Sequence, residues 1–197
     1  ADTLADLQAT FEGAFHLSFR LTELLGRHET TGLDDGGRAL LRLLTPIAKL
    51  TTGKQVVAAM SEVVEAFGGA GYVEDTGIPV LLRDAQVLPI WEGTTNVLSL
   101  DVLRALQQTG GLDPIRRELD RCEEAVSAVD LPEVVQVAQN AVDRAAQWLQ
   151  RAMEQDRSAV EAGARRFALT LGHALELALL ARHAQWSHEH EQDARTR

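Results

Sequence analysis

Apolar residues recur at intervals of three and four along almost the whole chain, and that spacing admits little but α-helix. From Thr3 to Arg27 the pattern runs through Leu4, Leu7, Phe11, Ala14, Phe15, Ser18, Leu21 and Leu25, which predicts a first helix burying that stripe. Breaker clusters follow, Thr30-Thr31-Gly32 and Asp34-Asp35-Gly36-Gly37, and predict a loop joining two antiparallel helices. A second helix is predicted from about Arg38 to Phe67, its stripe marked by Leu40, Leu41, Leu44, Ile47, Ala48, Val56, Ala59, Met60, Val63, Val64 and Phe67. Pro46 and Gly53 interrupt it, so the helix either starts near Pro46 or bends there. Gly68 is expected to end it as a left-handed cap.

Residues Gly69 to Gly77 read as loop, Pro79 opens a short helix to about Ala85, and Val87 to Gly93 reads as extended chain or turn. A third long helix is expected from Asn96 to Gln108, stopped by Gly110-Gly111. Asp113-Pro114 opens a helix to about Val129, and Asp130 with Pro132 opens another to Met153 or Gln155. Ser158 opens the last, with Phe167, Leu171, Leu175, Leu179 and Leu180 on its face, and the polar tail from Ser187 is expected to fray. The predicted class is all-α: an antiparallel helical bundle over residues 1–109, with an additional C-terminal helical subdomain over 110–197 that can pack back onto it.

The net charge of −10 argues against a general affinity for nucleic acid, which needs a basic surface. No apolar run is long enough to cross a bilayer, and the first residues lack the basic segment of a signal peptide. Cys122 is the single cysteine, so neither an internal disulfide nor a cysteine-based zinc site is available, and a cytoplasmic setting is expected. His183, His188 and His190 suggest a metal site less strongly than a solvated tail; no metal is expected.

Chemistry concentrates between Phe67 and Asn96. The stretch reads Phe67-Gly68-Gly69-Ala70-Gly71-Tyr72, then Arg83-Asp84-Ala85, then Ile90-Trp91-Glu92-Gly93-Thr94-Thr95-Asn96. Glycines let backbone N–H groups approach a ligand closely, and a helix opened by Thr94 or Thr95 can receive an anion at its start. Glu92, beside an aromatic residue and a glycine, is a plausible catalytic base, because apolar neighbours and restricted solvent raise a carboxylate's pKa. Arg83 and Asp84 read as a structural ion pair or helix-end contacts, and Trp91 as a pocket wall or core.

The three motifs, in this order and spacing, resemble the C-terminal domain of the flavin-dependent acyl-CoA dehydrogenases over roughly residues 1 to 107. The wording Ile90-Trp91-Glu92-Gly93 with Asn96, then Leu100-Asp101-Val102-Leu103-Arg104, is most similar to the AidB-like branch, which also carries a helical extension. The resemblance implies FAD as cofactor, an acyl-CoA substrate and α,β-dehydrogenation. Glu92 would remove the α-proton while the β-hydrogen leaves as hydride to the flavin. Gly68 and Gly69 would pack against the FAD of a neighbouring subunit, which implies a homo-oligomer, dimer or tetramer. Thr94 and Asn96 would also contact FAD, although Asn96 stands where many members have Gln. Glu65 occupies another position where Gln is usual, and a carboxylate there faces a pyrophosphate unfavourably.

An electron-transfer flavoprotein or similar acceptor is implied as partner. The family's first C-terminal helix and its upstream domains have no counterpart here, so the chain is expected to be an inactive C-terminal portion of the enzyme. Two alternatives are an AidB-like flavoprotein with a DNA-binding or alkylation-response role, and a flavin-free helical oligomerisation module.

Overall fold

The computed structural model describes residues 1–128 and 130–191, and among them the regular structure is entirely helical. The helices are α1 (Asp2–Thr30), α2 (Asp35–Ala66), α3 (Gly69–Tyr72), α4 (Ile78–Val87), α5 (Thr95–Thr109), α6 (Asp113–Glu124), α7 (Leu131–Gln155) and α8 (Arg157–His190), with a 3₁₀ turn at Glu74–Thr76. The all-α class read from the sequence is the one observed.

Local chemistry sets most helix ends. The Asp34 carboxylate accepts the Gly37 N–H at 2.7 Å and starts α2 three residues before the predicted point. Pro46 neither starts nor ends α2, which runs through it. Its missing hydrogen bond is offset by burial of Pro46 together with Ile47, Ala48 and Leu50. The Asp156 carboxylate accepts the Ala159 N–H at 2.8 Å and caps α8, a role expected of Ser158. Asp113 lies inside α6 and Leu112 is its N-cap, while Asp130 precedes α7 at φ +70° without a side-chain cap bond. Gly110 closes α5 at φ +75°, where a left-handed cap favours glycine. Helix α6 ends at Glu124, short of the predicted end at Val129, which lies outside the described residues. Ser187 to His190 belong to α8 and are not a frayed tail; residues 192–197 lie outside the described residues.

Helices α7 and α8 form a long pair, and α8 also packs on α1, α2 and α5, while α6 packs on α2, α7 and α8. One apolar core therefore runs across the Gly110-Gly111 junction, including Leu17 and Leu24 of α1, Leu43, Leu44 and Ile47 of α2, Val102 of α5, Leu119 of α6 and Leu171 of α8. Cys122 lies in this core, its thiol pushed up to about 11 chiefly by burial.

The predicted face of α1 is corrected. Gly13, Leu17, Arg20 and Leu24 are buried, whereas Leu4, Phe11, Phe15 and Leu25 are exposed. The helix has two apolar stripes, and the one that meets α2 and α8 contains a glycine and an arginine. Gly13 is there because α8 is close: a Cβ would stand 3.3 Å from the Glu176 Cβ. On the outer stripe Phe11, Phe15 and Phe19 form a ladder with ring centroids 6.1 and 4.4 Å apart. The last three turns of α2 are likewise more open than predicted: Val63 and Val64 are half-buried and Phe67 is exposed.

Among the polar contacts that cross between helices, one is buried and one half-buried pair is aromatic. Arg20 of α1 donates from Nε and Nη2 to the Glu118 carboxylate of α6 at 2.7 and 2.8 Å, while Arg121 donates to the same carboxylate at 3.3 Å. Burial alone would lower the Arg20 pKa, but hydrogen bonds and charge from Glu118, then Glu23, raise it. The half-buried contact sets the His16 ring against that of His183, 4.2 Å between centroids and tilted by 37°, and the row continues through the stacked rings of Trp186 and His190 along α8.

His16 is held below the usual histidine range, first by burial and then by His183 and Arg182, with Glu12 acting in the opposite sense. A group with a depressed folded pKa stabilises the fold above its unfolded value and loses that contribution as pH falls through the folded value. His16 should therefore contribute a fall in the urea midpoint between about pH 7.5 and pH 5.5, around the unfolded histidine value, against which His173, raised by its hydrogen bond to Glu176, acts in the opposite sense. His16→Gln should flatten that drop; an unchanged slope would remove His16 as its source.

Candidate active site

The Gly-Gly segment begins where α2 runs out. The Phe67 and Gly68 N–H groups donate to the Val63 and Glu65 carbonyls at 3.2 and 2.9 Å. Gly68 then turns at φ +56°, ψ −134°, outside the left-handed cap region expected of it and in backbone space essentially reserved for glycine. The predicted loop from Gly69 is instead the short helix α3 and the 3₁₀ turn. Gly71 fixes the reversal, because its α-carbon lies against the Val64 backbone and a Cβ would stand 2.0 Å from the Val64 carbonyl oxygen. Gly71→Ala should cost about 1–3 kcal/mol by overpacking, read as a lowered urea midpoint. An unchanged midpoint would show that the turn has room to relax. Glu65, Gly68 and Gly69 are exposed, leaving carboxylate and bare backbone open to a neighbour.

The chain returns along α4. Thr76 donates its hydroxyl to the Ala70 and Val73 carbonyls at 2.7 and 2.9 Å. Arg83 forms a two-pronged ion pair with Glu74, both bonds 2.9 Å, rather than pairing with Asp84. At the end of α4 the turn carrying Glu92 is seated on the middle of α2. Lys49 donates its ammonium to the Leu88 carbonyl at 2.8 Å and lies 5.7 Å from the centroid of the Trp91 ring. Gly53 faces the Leu88–Pro89 backbone, where a Cβ would stand 3.5 Å from the Leu88 oxygen. Neither residue stands out in the sequence as part of the site. The available signal was a glycine inside a helical pattern, which marks a close backbone approach.

Glu92 itself sits at φ +56°, left-handed backbone that a glutamate adopts at a cost of about 1–3 kcal/mol, followed by Gly93 at φ +116°. Its side chain is exposed, so the desolvation expected from its neighbours is not supplied within this chain. Thr94 occupies the N-cap of α5 with extended backbone, φ −66° and ψ 160°, and its carbonyl accepts the Leu98 N–H at 2.9 Å. The Thr94 hydroxyl makes no capping bond, so it and the first N–H groups of α5 remain available to a ligand. Asn96, the second residue of α5, is exposed.

The candidate residues thus form two groups. Glu92, Thr94 and Asn96 share the entrance of α5. Glu65, Gly68 and Gly69 lie at the far end of α2, about 20 Å from Gly53 at 1.5 Å per helical residue. Within one chain the first group is seated on the middle of α2 and the second at its end. His183, for its part, is enclosed between His16 and Trp186. Among the described residues, no group of three or more His, Cys, Asp or Glu could hold a metal ion. No helix among them is long and apolar enough to cross a membrane.

Residues 1–107 match the family model of the acyl-CoA dehydrogenase C-terminal domain. The chain belongs to the acyl-CoA dehydrogenase family. Residues 116–196 match a second model, the acyl-CoA dehydrogenase 11 C-terminal domain-like region. Acyl-CoA dehydrogenase family member 11 of Caenorhabditis elegans is 40% identical over 92% of this chain and 30% of its own length. The putative acyl-CoA dehydrogenase AidB of Escherichia coli is 37% identical over 55% of this chain and 19% of its own. The crystal structure of C. elegans ACDH-11 in complex with C11-CoA superposes with a TM-score of 0.83 at 39% identity, over 97% of this chain and 33% of that one. The match therefore spans about a third of the length of the worm relatives, 30% and 33%, and 19% of AidB. The family resemblance read from the three motifs is the one these comparisons show.

Proposed function

We propose that this chain is the C-terminal portion of an FAD-dependent acyl-CoA dehydrogenase, with 1–109 as the dehydrogenase bundle and 110–197 as its helical extension, and that Glu92 is its catalytic base. The single observation that carries the reading is the Glu92 turn: a carboxylate with no partner among the described residues, held in left-handed backbone at the open N-terminus of a helix. Such strain persists where the surroundings dictate it, and it clusters at active sites.

The residues present suit FAD. Thr94 has a free hydroxyl beside unpaired amides, and Gly68-Gly69 offers backbone uncovered by side chains. Thr94 and Asn96 would hold one FAD, and Gly68 and Gly69, with Glu65 turned aside, the FAD of a second copy. Bound FAD supplies the acceptor for the substrate's β-hydride. Glu92 takes the α-proton of the thioester onto its carboxylate, and the α5 amides polarise the negative charge that builds as the proton leaves.

The homo-oligomeric reading rests on the placement of the two groups, one seated on the middle of α2 and the other at its end, and on exposed apolar side chains around them: Phe67, Tyr72 at 84% exposure, Ile90 and Trp91. The substrate is an acyl-CoA, by analogy with the C11-CoA bound by the worm relative. We place the enzyme in the cytoplasm on its single, buried thiol. The test is product: the full-length gene product, given saturated acyl-CoAs of graded length and an artificial electron acceptor, should release the α,β-enoyl-CoA. Release of free CoA instead, or no product across the series, would refute the reading.

A further inference from the structure

A second concave site lies between α7 and α8. It is a groove of about 1110 Å³ lined by Arg144, Trp148, Arg165, Arg166, Thr170 and His173 over a floor of alanines and leucine. The chain carries a net charge of −10, yet among the described residues not one carboxylate lines this groove. Spacing produces the arrangement: Arg166, Thr170 and His173 share one face of α8, and Arg144 and Trp148 one face of α7.

Of the carboxylates nearest in sequence, two are engaged elsewhere and one, Glu176, holds the groove's His173 at its edge. Asp143 pairs with Arg116 at 3.1 Å, and Glu161 with Arg157 at 2.6 Å. Glu176 accepts from Gln55 at 2.7 Å and lies 3.0 Å from His173 Nδ1. That last contact raises the His173 pKa and favours its charged form. The end wall is aromatic. Trp148 presses on Gly163, where a Cβ would stand 1.9 Å from its ring, and its ring centroid lies 5.7 Å from that of Phe167.

We infer that this groove binds a small phosphate-bearing anion with a flat apolar body, of the nucleoside diphosphate class, with Arg144 and Arg166 on the phosphates and Trp148 walling the body. Guanidinium forks match phosphate oxygens, and the volume suits a small ligand. Electrostatics favours a small anion over a nucleic-acid duplex. At physiological ionic strength the Debye length is about 8 Å. A ligand inside the groove meets the local arginines, whereas a duplex extends over the acidic surface around them. The site is independent of Glu92 and of Gly68-Gly69.

The test is calorimetric titration of the chain with ADP and with inorganic pyrophosphate at physiological ionic strength, repeated on Arg144→Gln, Arg166→Gln and, as control, Arg151→Gln. Arg151 lies on α7 outside the groove lining and removes the same charge. ADP is expected to bind more tightly than pyrophosphate. Each groove variant should weaken ADP about tenfold or more, as loss of a hydrogen bond to a charged group requires, with the Arg151 variant unchanged and all unfolding midpoints preserved. Equal weakening by Arg151→Gln would reduce the effect to net charge and overturn the proposal. So would no ADP binding at millimolar concentration, or binding of a short DNA duplex alone.

Discussion

Glu92→Gln, made in the full-length gene product, should lower turnover by about 10²–10⁴-fold while leaving acyl-CoA affinity within a few-fold. Glutamine keeps the size and most of the polarity of the side chain but cannot take a proton. The loss should appear in kcat and not in KM, because an interaction with the departing α-proton exists only in the transition state. No other described residue competes for the proton on the strength of its position: Asp84 lies on α4, and Glu74 is committed to Arg83 at 2.9 Å. A variant that turns over at the normal rate would place the base in a segment outside this chain.

Arg20→Met should destabilise the chain by about 3–5 kcal/mol, since it strands a carboxylate in the core. Glu118 has a side-chain exposure of 0%, and Arg20 supplies two of its three hydrogen bonds. The remaining donor, Arg121, reaches it at 3.3 Å from a half-exposed position and cannot replace the fork. The unfolding temperature should fall on the order of 10 °C. The double variant Arg20→Met, Glu118→Leu should recover most of this, because no charge is then left unpaired. A single variant that costs less than about 1 kcal/mol, the range of surface pairs, would mean that water reaches Glu118. The pair ties α6 to α1 across the Gly110-Gly111 junction, so its loss should loosen the extension from the bundle.

The helices were legible because their punctuation is local. Gly110, Pro114 and Pro132 act through their own backbone and need no tertiary partner. What escaped depends on partners distant in sequence. Arg20 reads as a surface residue until Glu118, ninety-eight positions away, is placed beside it. The buried face of α1 was misread because the strongest apolar periodicity, through Phe11 and Phe15, belongs to the outward stripe. Glu92 was legible from its motif, but its left-handed backbone was not, since nothing in a Glu-Gly pair announces which residue takes the positive φ. Lys49 and Gly53, which seat that turn, looked like ordinary helix residues; only the fold brings Leu88 and Pro89 against them.

The most direct measurement is the visible spectrum of the full-length gene product, recorded anaerobically before and after addition of short- and long-chain acyl-CoA. A yellow protein whose absorbance bleaches on addition is the predicted result. Bleaching reports electrons arriving from the substrate, independent of any downstream acceptor. A yellow protein that no acyl-CoA bleaches would contradict the dehydrogenase assignment and favour a flavoprotein of AidB-like type. A colourless protein that takes up no FAD would contradict the flavin site at Gly68-Gly69 and Thr94 as well.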